Sequence, residues 1–596
     1  MGTDVPDRLT PALRDEAMRW IADDPSSSDR AELQQVLADA MGGNASALAD
    51  LTDRMSAPLA FGTAGLRGPL RAGPAGMNLA VVRRAAAGIA AHLLANGGRD
   101  RIVVIGHDAR HRSAEFAADA AKVLAAAGFR ALLAPGALPT PITAFAVRHL
   151  DAAAGLQVTA SHNPPQDNGL KVYLQAGAQI VAPTDAAIEA AIAAVPAAVS
   201  VDTAGTPQPW PTEGPTAIVE RYLARAASLA GSLAVTSVVT ESVLPAAATE
   251  SAPPAPASVS AVIPALRIVA TAMHGVGAQS LAEVLARAGF TDVHMVASQQ
   301  QPDPDFPTVA FPNPEEPGAT DQLLALAEEL DADLAIANDP DADRCAIGAK
   351  AADGSWRMLR GDETGSLLGD HLLSSLNRAE HPDPLVATTI VSSSLLRSIA
   401  AAHHARYDET LTGFKWIVRA GDGQGTGLVY GYEEALGVCV DPDYVRDKDG
   451  ISAAVVAADL AATLKAKGRT LFDALDDLAR SYGLHVTDQL SVRITDVSEI
   501  ADAMQRLRSA LPVSLLGAPV TGTDDLLPRT DAVVLRTEQL RIVVRPSGTE
   551  PKLKFYLEVV IPIDPRATDI SAGRASAAEK LGAACTEIAG VLGLSG

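Results

Sequence analysis

One polar loop at the end of an apolar segment restricts the fold of this chain more than any other feature. The apolar run from Ala152 to Val158 has the length and composition of a buried parallel strand, and it leads into the sequence TASHNPP, which contains Ser161. The two prolines of this sequence cannot continue a strand or a helix interior. The hydroxyl of Ser161 is therefore expected at the carboxyl end of a strand, where open α/β sheets bind their ligands.

The residues that follow add two further chemical groups to the same loop. The sequence DNGLK, residues 167 to 171, is predicted to form a turn that returns Lys171 toward Ser161 and His162. A hydroxyl, an imidazole and an amine then share one end of the sheet. The alternative is an ordinary polar turn between a strand and a helix.

A second predicted strand ends on a run of carboxylates. The apolar segment 332 to 337 continues into NDPDADR, which places Asp339, Asp341 and Asp343 at alternate positions before Arg344. Three hard oxygen ligands on one loop suit Mg²⁺ or Ca²⁺ better than zinc, which prefers nitrogen and sulfur. A solvated acidic turn is the alternative, but it does not explain why the carboxylates interrupt an apolar strand.

The carboxylate loop is not an EF-hand. That motif requires glycine at the sixth loop position and a bidentate glutamate at the twelfth, where this chain has Arg344 and Lys350. The loop is therefore predicted to be a separate kind of hard-cation site.

Two more loops carry the groups that a phosphorylated sugar requires. Between the predicted strands Leu540 to Val544 and Leu553 to Val560, the sequence RPSGTEPK offers a guanidinium group, two hydroxyls and close backbone amides for a phosphate dianion. After the predicted strand Gly427 to Tyr430, the sequence GYEEALG places the carboxylate of Glu433 where it can accept hydrogen bonds from sugar hydroxyls. A polar turn and a solvated loop, respectively, are the alternatives.

Taken together, these loops resemble those of the α-D-phosphohexomutase superfamily. The sequence FGTAGLRG at residues 61 to 68, the Ser161 loop, the Asp339 loop, the Glu433 loop and the Arg545 loop occur in the superfamily's order, and the resemblance covers about residues 55 to 596. FGTAGLRG and GYEEALG look like the branch that contains bacterial phosphoglucomutases, also called phosphoglucomutase/phosphomannomutase, and phosphopentomutases. The resemblance implies an α/β fold with three similar α/β domains and a C-terminal α+β domain around a central cleft.

The resemblance also implies an activity and a role for each loop. A phosphorylated Ser161 transfers its phosphoryl group to a hexose phosphate, the bisphosphorylated sugar turns over in the cleft, and its other phosphate returns to Ser161. The implied cofactors are Mg²⁺, held by Ser161 and the three aspartates, and the sugar bisphosphate as activator. Lys171 is the candidate for proton transfer, because a buried cation beside Arg and Mg²⁺ is expected to have a lowered pKa. Arg67 and His162 are predicted to contact the phosphoryl group, with a purely structural histidine as the alternative. The predicted substrate contacts are Arg344, Lys415 of the sequence TGFKW, Glu433, Ala435, Arg545, Ser547, Gly548 and Thr549.

One departure from the superfamily bears on the choice of sugar. Hexose-specific relatives commonly have serine where this chain has Ala435, which cannot hydrogen-bond a sugar hydroxyl. Glucose is the expected substrate, and mannose and pentose phosphates remain alternatives. A noncatalytic phosphosugar-binding protein is the alternative of a different class, and the presence of Ser161 with the three aspartates argues against it. A phosphatase is a further alternative, and the complete phosphate loop at 545 to 552 argues against it.

The composition narrows the partners and the setting. A chain of 596 residues is expected to form about four domains. Its net charge of −23 disfavours binding to nucleic acid or to an anionic membrane surface. The small number of cysteines, Cys345, Cys439 and Cys585, and an N-terminus without a basic, apolar signal sequence predict a cytoplasmic protein. A monomer or a homodimer with a small phosphosugar substrate is expected.

The predicted organisation follows the alternation of apolar strands and alanine-rich helices. An N-terminal helical extension is expected at 1–55, domain I with the serine loop at 56–208 and domain II with the metal loop at 209–352. Domain III with the sugar loop is expected at 353–486 and domain IV with the phosphate loop at 487–596. The stretch 240–264 consists mostly of Ala, Pro, Ser, Val and Thr, and it is predicted to be a disordered surface insert.

Overall fold

A computed structural model describes residues 8–60, 65–98, 100–234, 266–494, 497–547 and 552–593 of the chain. The predicted insert at 240–264, residues 61 to 64 of FGTAGLRG and Gly548 and Thr549 of the phosphate loop lie outside these residues. Among the described residues, no helix combines the length and hydrophobicity needed to cross a lipid bilayer.

Helices precede the first sheet. They are α1 (Pro11–Asp23), α2 (Ser27–Met41) and α3 (Ala45–Arg54). Each begins at a polar N-cap, since the side chains of Thr10, Ser26 and Asn44 accept hydrogen bonds from backbone amides of the first turn. The three helices bury leucines against one another and against Ala72, so the extension packs as a small bundle of its own.

The first sheet is mixed, and its strand order is β1-β5-β4-β2-β3-β6. Strands β4, β2, β3 and β6 are parallel, whereas β5 is antiparallel to both β1 and β4. The strands are β1 (Leu66–Pro69), β2 (Ile102–His107), β3 (Arg130–Leu133), β4 (Ala154–Val158), β5 (Asp167–Leu174) and β6 (Gln208–Pro209), and the helices are α4 (Leu79–Ala95), α5 (Ser113–Ala126), α6 (Thr140–His149) and α7 (Thr184–Ala193).

The second and third sheets repeat the pattern of a parallel core with an antiparallel edge. The second has the order β11-β10-β9-β7-β8 and the third β13-β12-β14-β15. The strands are β7 (Arg267–Thr271), β8 (Asp292–Met295), β9 (Leu334–Ala337), β10 (Ala346–Lys350), β11 (Trp356–Met358), β12 (Leu385–Thr389), β13 (Arg406–Thr410), β14 (Leu428–Glu433) and β15 (Gly437–Cys439). The helices are α8 (Ile218–Ala234), α9 (Gly277–Arg287), α10 (Asp321–Glu329), α11 (Gly361–Ser375), α12 (Leu395–Ala402), α13 (Phe414–Ile417), α14 (Gly450–Ala466) and α15 (Leu471–Tyr482).

The fourth sheet is antiparallel, which agrees with the predicted α+β domain. Its order is β16-β22-β21-β20-β19, and a separate pair, β17 with β18, lies beside it. The elements are α16 (Val497–Ser509), α17 (Ser571–Val591), β16 (Leu484–Arg493), β17 (Ser514–Leu515), β18 (Ala518–Pro519), β19 (Gly522–Asp525), β20 (Val533–Arg536), β21 (Leu540–Pro546) and β22 (Lys552–Ile561). The fold is thus the predicted one, with three similar α/β domains and a fourth of a different kind.

The first three domains share a hydrophobic core, whereas the fourth has its own. One cluster of buried side chains extends from Phe145 of the first domain through Phe290 of the second to Tyr430 of the third. Helix α14 crosses this cluster, and most of its residues are apolar and buried, as expected for a helix within a core. The fourth domain is joined to the third through Glu558, whose carboxylate accepts a hydrogen bond from Ser393 Oγ at 2.7 Å and lies 3.1 Å from Arg541.

Candidate active site

Ser161 lies where the sequence predicted, directly beyond the carboxyl end of β4. Its backbone adopts a left-handed conformation with φ of 54°, and its amide donates to Thr159 Oγ1 at 2.9 Å. This geometry points the hydroxyl away from the first sheet and toward the second. Ser161 Oγ donates to Asp339 Oδ2 at 2.8 Å and lies 3.3 Å from His162 Nδ1. The serine loop and the carboxylate loop therefore meet, although 178 residues separate them in the sequence.

Lys171 reaches the same place by a different route from the predicted one. Residues 167 to 171 are part of strand β5 and not a turn, so that prediction was wrong. β5 lies between β1 and β4, and Gly169 permits this because a Cβ there would come within 2.6 Å of Leu66 O and 2.7 Å of Thr159 O. Lys171 Nζ donates to Asp341 Oδ2 at 2.7 Å and to Asp343 Oδ2 at 2.5 Å.

The charge state of Lys171 depends on the neighbouring carboxylates. Burial opposes the charged form, but the carboxylates of Asp341 and Asp343 outweigh burial, and together they raise the pKa of Lys171 above its usual value. The lowered pKa that is expected beside Mg²⁺ stays a prediction. Lys171 is an ammonium group that neutralises part of the carboxylate cluster.

The three aspartates form a fully buried group at the end of β9. Oxygen atoms of Asp339, Asp341 and Asp343 all lie within 4.8 Å of one another. Burial and the two neighbouring carboxylates raise the pKa of Asp339 well above its usual range. Among the described residues, Asp341 Oδ1 and Asp343 Oδ1 are buried without a hydrogen-bond donor. Buried carboxylate oxygens without donors are costly unless a cation occupies the site, so the group has the composition of a hard-cation site.

The metal loop is clamped between two glycines from different domains. A Cβ at Gly275 would lie 2.3 Å from Pro340 O, and a Cβ at Gly450 would lie 2.1 Å from Arg344 O. The backbones on both sides therefore pack directly against the loop that carries the aspartates. Gly450 is also the first residue of α14, so the buried helix of the shared core supports the loop.

We expect Gly450→Ala to lower both stability and activity. The added methyl group must displace the backbone of the metal loop, at a cost of about 1–3 kcal/mol in the free energy of unfolding. Urea unfolding and steady-state turnover measure the two effects. Gly582→Ala is the control, because a Cβ at Gly582 in α17 meets nothing within 4 Å, and alanine is the better helix former. Equal behaviour of the two variants would contradict the prediction.

The predicted sugar loop faces the carboxylate group from the third domain. Glu433 ends β14, and burial raises its pKa to about 7, against the opposing effects of Lys448 and Arg344. The backbone of Arg344, which follows the aspartates, forms a β-bridge with Gly437. The sugar loop and the metal loop are thus fixed to each other through their backbones.

One cavity of about 250 Å³ brings these loops together. Its lining residues come from all four domains, and they include most of the predicted site. They are Arg67, Ser161, His162, Lys171, Gln179, Asp343, Arg344, Thr412, Gly413, Phe414, Glu433, Ala435, Lys448, Arg545, Ser547 and Lys554.

Lys415 is the described candidate for substrate contact that does not line the cavity, and Asp339 and Asp341 of the carboxylate group do not line it either. Thr412, Gly413 and Phe414 of the same segment line the cavity, but Lys415 is buried beside it, with Nζ 5.8 Å from the centre of the Trp416 ring. Arg545 and Ser547 line the cavity at the end of β21, while the remainder of that loop lies outside the described residues.

Sequence reasoning undervalued Lys448 and missed Gln179. From the sequence alone, the run RDKDG at residues 446 to 450 favours a solvated charge run at least as much as a position of Lys448 near the cleft. The structure places Lys448 Nζ 3.2 Å from Asp343 Oδ2. Gln179 carries no motif, and its amide donates to Asp447 Oδ2 at 2.7 Å. Only the folded chain brings these two residues to the cavity.

The electrostatics of the cavity suit a substrate with negative charge. Arg67, Arg344, Arg545 and Lys448 surround it, within a chain whose net charge is −23. Burial and the nearby Arg344 and Arg67 hold the pKa of His162 well below its usual range, so this imidazole is neutral. A neutral imidazole can accept or donate a hydrogen bond beside Ser161 without adding charge.

Comparison with known proteins agrees with this geometry. Family models described as phosphoglucomutase/phosphomannomutase α/β/α domains I, II and III match residues 58–198, 255–352 and 360–482, and the C-terminal domain model matches residues 490–563. A probable phosphomannomutase of Haemophilus influenzae is 42% identical over 81% of this chain and 93% of its own length. A phosphopentomutase of Mus musculus is 32% identical over 92% of this chain and 90% of its own length. The open form of parafusin, a phosphoglucomutase from Paramecium, shares the fold with a TM-score of 0.65 at 17% identity, over 90% of this chain and 97% of that one.

Proposed function

We propose a mechanism for this chain, which belongs to the phosphoglucomutase/phosphomannomutase family and is a phospho-sugar mutase. In this mechanism, phosphorylated Ser161 interconverts hexose 1-phosphates and hexose 6-phosphates. The observation that carries the proposal is the contact of Ser161 Oγ with Asp339, at the edge of a cavity that all four domains line. Such a cavity can hold the reacting phosphoryl group at one end and the second phosphate at the other.

The first half of the reaction moves the phosphoryl group from Ser161 to the sugar. The free sugar hydroxyl attacks phosphorus, a new sugar O–P bond forms, and the bond between phosphorus and Ser161 Oγ breaks. The proton of the sugar hydroxyl ends on Ser161 Oγ. Lys171 is the proposed relay, because its amine lies among the carboxylates beside Ser161, where its ammonium form can donate a proton to the departing oxygen and its amine form can then take the sugar proton. The second half is the reverse, after the bisphosphate has turned in the cavity.

The aspartate group is proposed to hold Mg²⁺. Lys171 engages the Oδ2 atoms of Asp341 and Asp343, and their Oδ1 atoms are the ones without a donor. These oxygens, with Asp339 and an oxygen of phosphorylated Ser161, would supply the ligands. Bound there, Mg²⁺ would offset negative charge on the transferring phosphoryl group.

The remaining residues are proposed to hold the substrate. Arg67 and His162 face the phosphoryl group beside Ser161, and Arg344 and Lys448 position the sugar phosphate. Arg545 and Ser547, with Gly548 and Thr549, are proposed to bind the phosphate that does not react. The position of Lys415 beside the cavity argues against a direct contact of this side chain with the substrate.

Glucose phosphate is the proposed preferred substrate, with mannose and pentose phosphates as the alternatives. Glu433 can accept hydrogen bonds from two adjacent sugar hydroxyls, and both poses of the bisphosphate present such a pair. Ala435 lines the cavity without a hydroxyl group that could bind the sugar, which favours lower discrimination among sugar substrates. The similarity to a probable phosphomannomutase and to a phosphopentomutase over most of the chain supports keeping mannose and pentoses as the alternatives.

A kinetic panel tests the sugar assignment. Glucose, mannose, ribose and deoxyribose 1-phosphates are compared with Mg²⁺ and a trace of bisphosphate activator, and we expect the highest kcat/KM for glucose 1-phosphate. An axial hydroxyl, as at C2 of mannose, misaligns one donor at a cost of about 1–3 kcal/mol, or about 5- to 160-fold. A higher value for ribose would make the chain a phosphopentomutase with the same chemistry.

The pKa of Glu433 adds a pH dependence to the panel. Its value of about 7 means that the carboxylate gains a proton as the pH falls from about 8 to about 6 and then loses acceptor capacity. We expect kcat/KM for glucose 1-phosphate to fall over this range. The glutamine of the Glu433→Gln variant cannot titrate. The variant should have a lower kcat/KM than the parent protein at high pH, and its kcat/KM should keep only the weaker pH dependence that comes from the substrate phosphate. Identical profiles for the two proteins would contradict this role of Glu433.

A further inference from the structure

Arg110 makes an unusual set of contacts with the loop that carries Ser161. Its guanidinium group donates to backbone oxygens of the loop: Nη2 to Ser161 O at 2.7 Å and to Asn163 O at 2.5 Å, and Nη1 to Pro164 O at 2.8 Å and to Asp167 O at 3.2 Å. The residue is buried, and the loop is folded around the plane of the guanidinium. One side chain thus fixes the backbone on both sides of the two prolines.

Arg110 is itself held on several sides. Its backbone amide donates to Asp108 Oδ1 at 3.0 Å, and its Nε lies 3.5 Å from Asp108 Oδ2. Ser113 Oγ donates to Asp108 Oδ1 at 2.6 Å. On the open side, the ring of Phe306 from the second domain lies 4.9 Å from the guanidinium carbon. The Arg110 side chain therefore has little freedom to move, and its hydrogen bonds hold the backbone of the Ser161 loop in place.

The loop requires such support because of its backbone conformation. Ser161 has a positive φ of 54°, which side-chain-bearing residues adopt only when their surroundings enforce it. The direction of the Ser161 hydroxyl depends on this conformation. A relaxed loop would move Oγ away from Asp339 and away from the line of phosphoryl transfer.

We infer that Arg110 is a positioning residue that holds Ser161 in the geometry for phosphoryl transfer. It acts through the backbone of the loop, since it is not among the described residues that line the cavity. Lysine cannot replace it, because an ammonium lacks the planar set of donors that reaches several carbonyls at once. The inference rests on the proposed function, in which Ser161 carries the phosphoryl group.

The test compares Arg110→Lys and Arg110→Ala with matched changes at Arg83. Arg83 is a partly buried arginine of the same domain that pairs with Asp119, with Nε to Oδ2 at 2.9 Å and Nη2 to Oδ1 at 2.6 Å. The measurements are kcat and KM for glucose 1-phosphate, the rate at which glucose 1,6-bisphosphate phosphorylates the dephosphorylated enzyme, and the melting temperature. They are made on the full chain with Mg²⁺.

We expect Arg110→Lys to lower kcat and the rate of enzyme phosphorylation about 100-fold, as for a reacting group misplaced by about 1 Å, and to leave KM within about threefold. Free guanidinium, at concentrations far below those that unfold the protein, should raise the rate of Arg110→Ala but not that of Arg83→Ala. A role in stability alone would lower the melting temperature without these kinetic effects. Unchanged kcat in Arg110→Lys would overturn the inference, and so would a loss no greater than that of Arg83→Lys. If Arg110→Ala does not fold, the lysine variant decides.

Ser161→Ala, measured in parallel, distinguishes failure of this inference from failure of the proposed function. If Ser161→Ala is inactive and Arg110→Lys is fully active, the inference fails and the proposed function stands. If Ser161→Ala is active, the proposed function fails and the inference fails with it.

Discussion

Ser161→Ala is expected to lose nearly all mutase activity while keeping its fold. The hydroxyl is the one proposed to carry the phosphoryl group, and without it neither half of the reaction can proceed. Loss of a nucleophile that forms a covalent intermediate lowers kcat by about 10⁴-fold or more. Alanine is close to serine in size and fits the same backbone turn. The one strong contact that is lost is the hydrogen bond from the Ser161 hydroxyl to Asp339. We therefore expect a small change in melting temperature.

Mass spectrometry provides the second measurement for this prediction. The active protein should carry one added phosphoryl group on the peptide that contains Ser161, and the alanine variant should carry none. Ser200→Ala is the matched control, because Ser200 is an exposed serine of the same domain whose hydroxyl donates to Ala197 O. Normal turnover in Ser161→Ala, or a phosphate located on another residue, would refute the mechanism.

Removal of the proposed Mg²⁺ is expected to have the second-largest effect. Charge stabilisation by such an ion is worth several kcal/mol, so thorough chelation should lower kcat by about 100-fold or more, and added Mg²⁺ should restore it. Asp341→Asn should have a comparable effect, since it removes one negative charge and one preferred ligand. Steady-state turnover across a Mg²⁺ titration measures both.

A thermal measurement separates loss of the ion from loss of the fold. A ligand that binds the folded state raises the melting temperature, so added Mg²⁺ should stabilise the parent protein and should stabilise Asp341→Asn much less. Asp331→Asn is the control, because Asp331 forms an exposed pair with Lys350, and such pairs contribute little. Full activity after exhaustive chelation would remove the metal from the mechanism.

The four loops that sequence reasoning singled out share one property, which is that each lies at the end of a predicted strand. Ser161 follows β4, the aspartates follow β9, Glu433 ends β14 and Arg545 lies near the end of β21. Apolar strands are visible in a sequence, and polar residues directly after them lie at the sheet edge where ligands bind. The four-domain α/β architecture could be predicted for the same reason.

The residues that it misjudged depend on contacts between distant parts of the chain. The letters DNG suggested a turn, but residues 167 to 171 form a strand because β1 and β4 supply partners on both sides. Lys171 was expected beside Ser161 on a local turn, but it meets Asp341 and Asp343, 170 and 172 residues away. Neither neighbour can be read from the local sequence.

The sequence alone therefore determined the class of fold, the chemistry of the loops and the class of reaction, because strand ends, carboxylate spacing and phosphate-binding groups are local properties. The tertiary structure alone decided which charges face one another. It pairs Lys171 and Lys448 with the aspartates and places Lys415 beside the cavity. It also brings Arg110 into hydrogen-bonding contact with the backbone of the Ser161 loop. These outcomes depend on distances across domain boundaries, and such distances exist only once the shared core of the first three domains has formed and the fourth domain has docked on it.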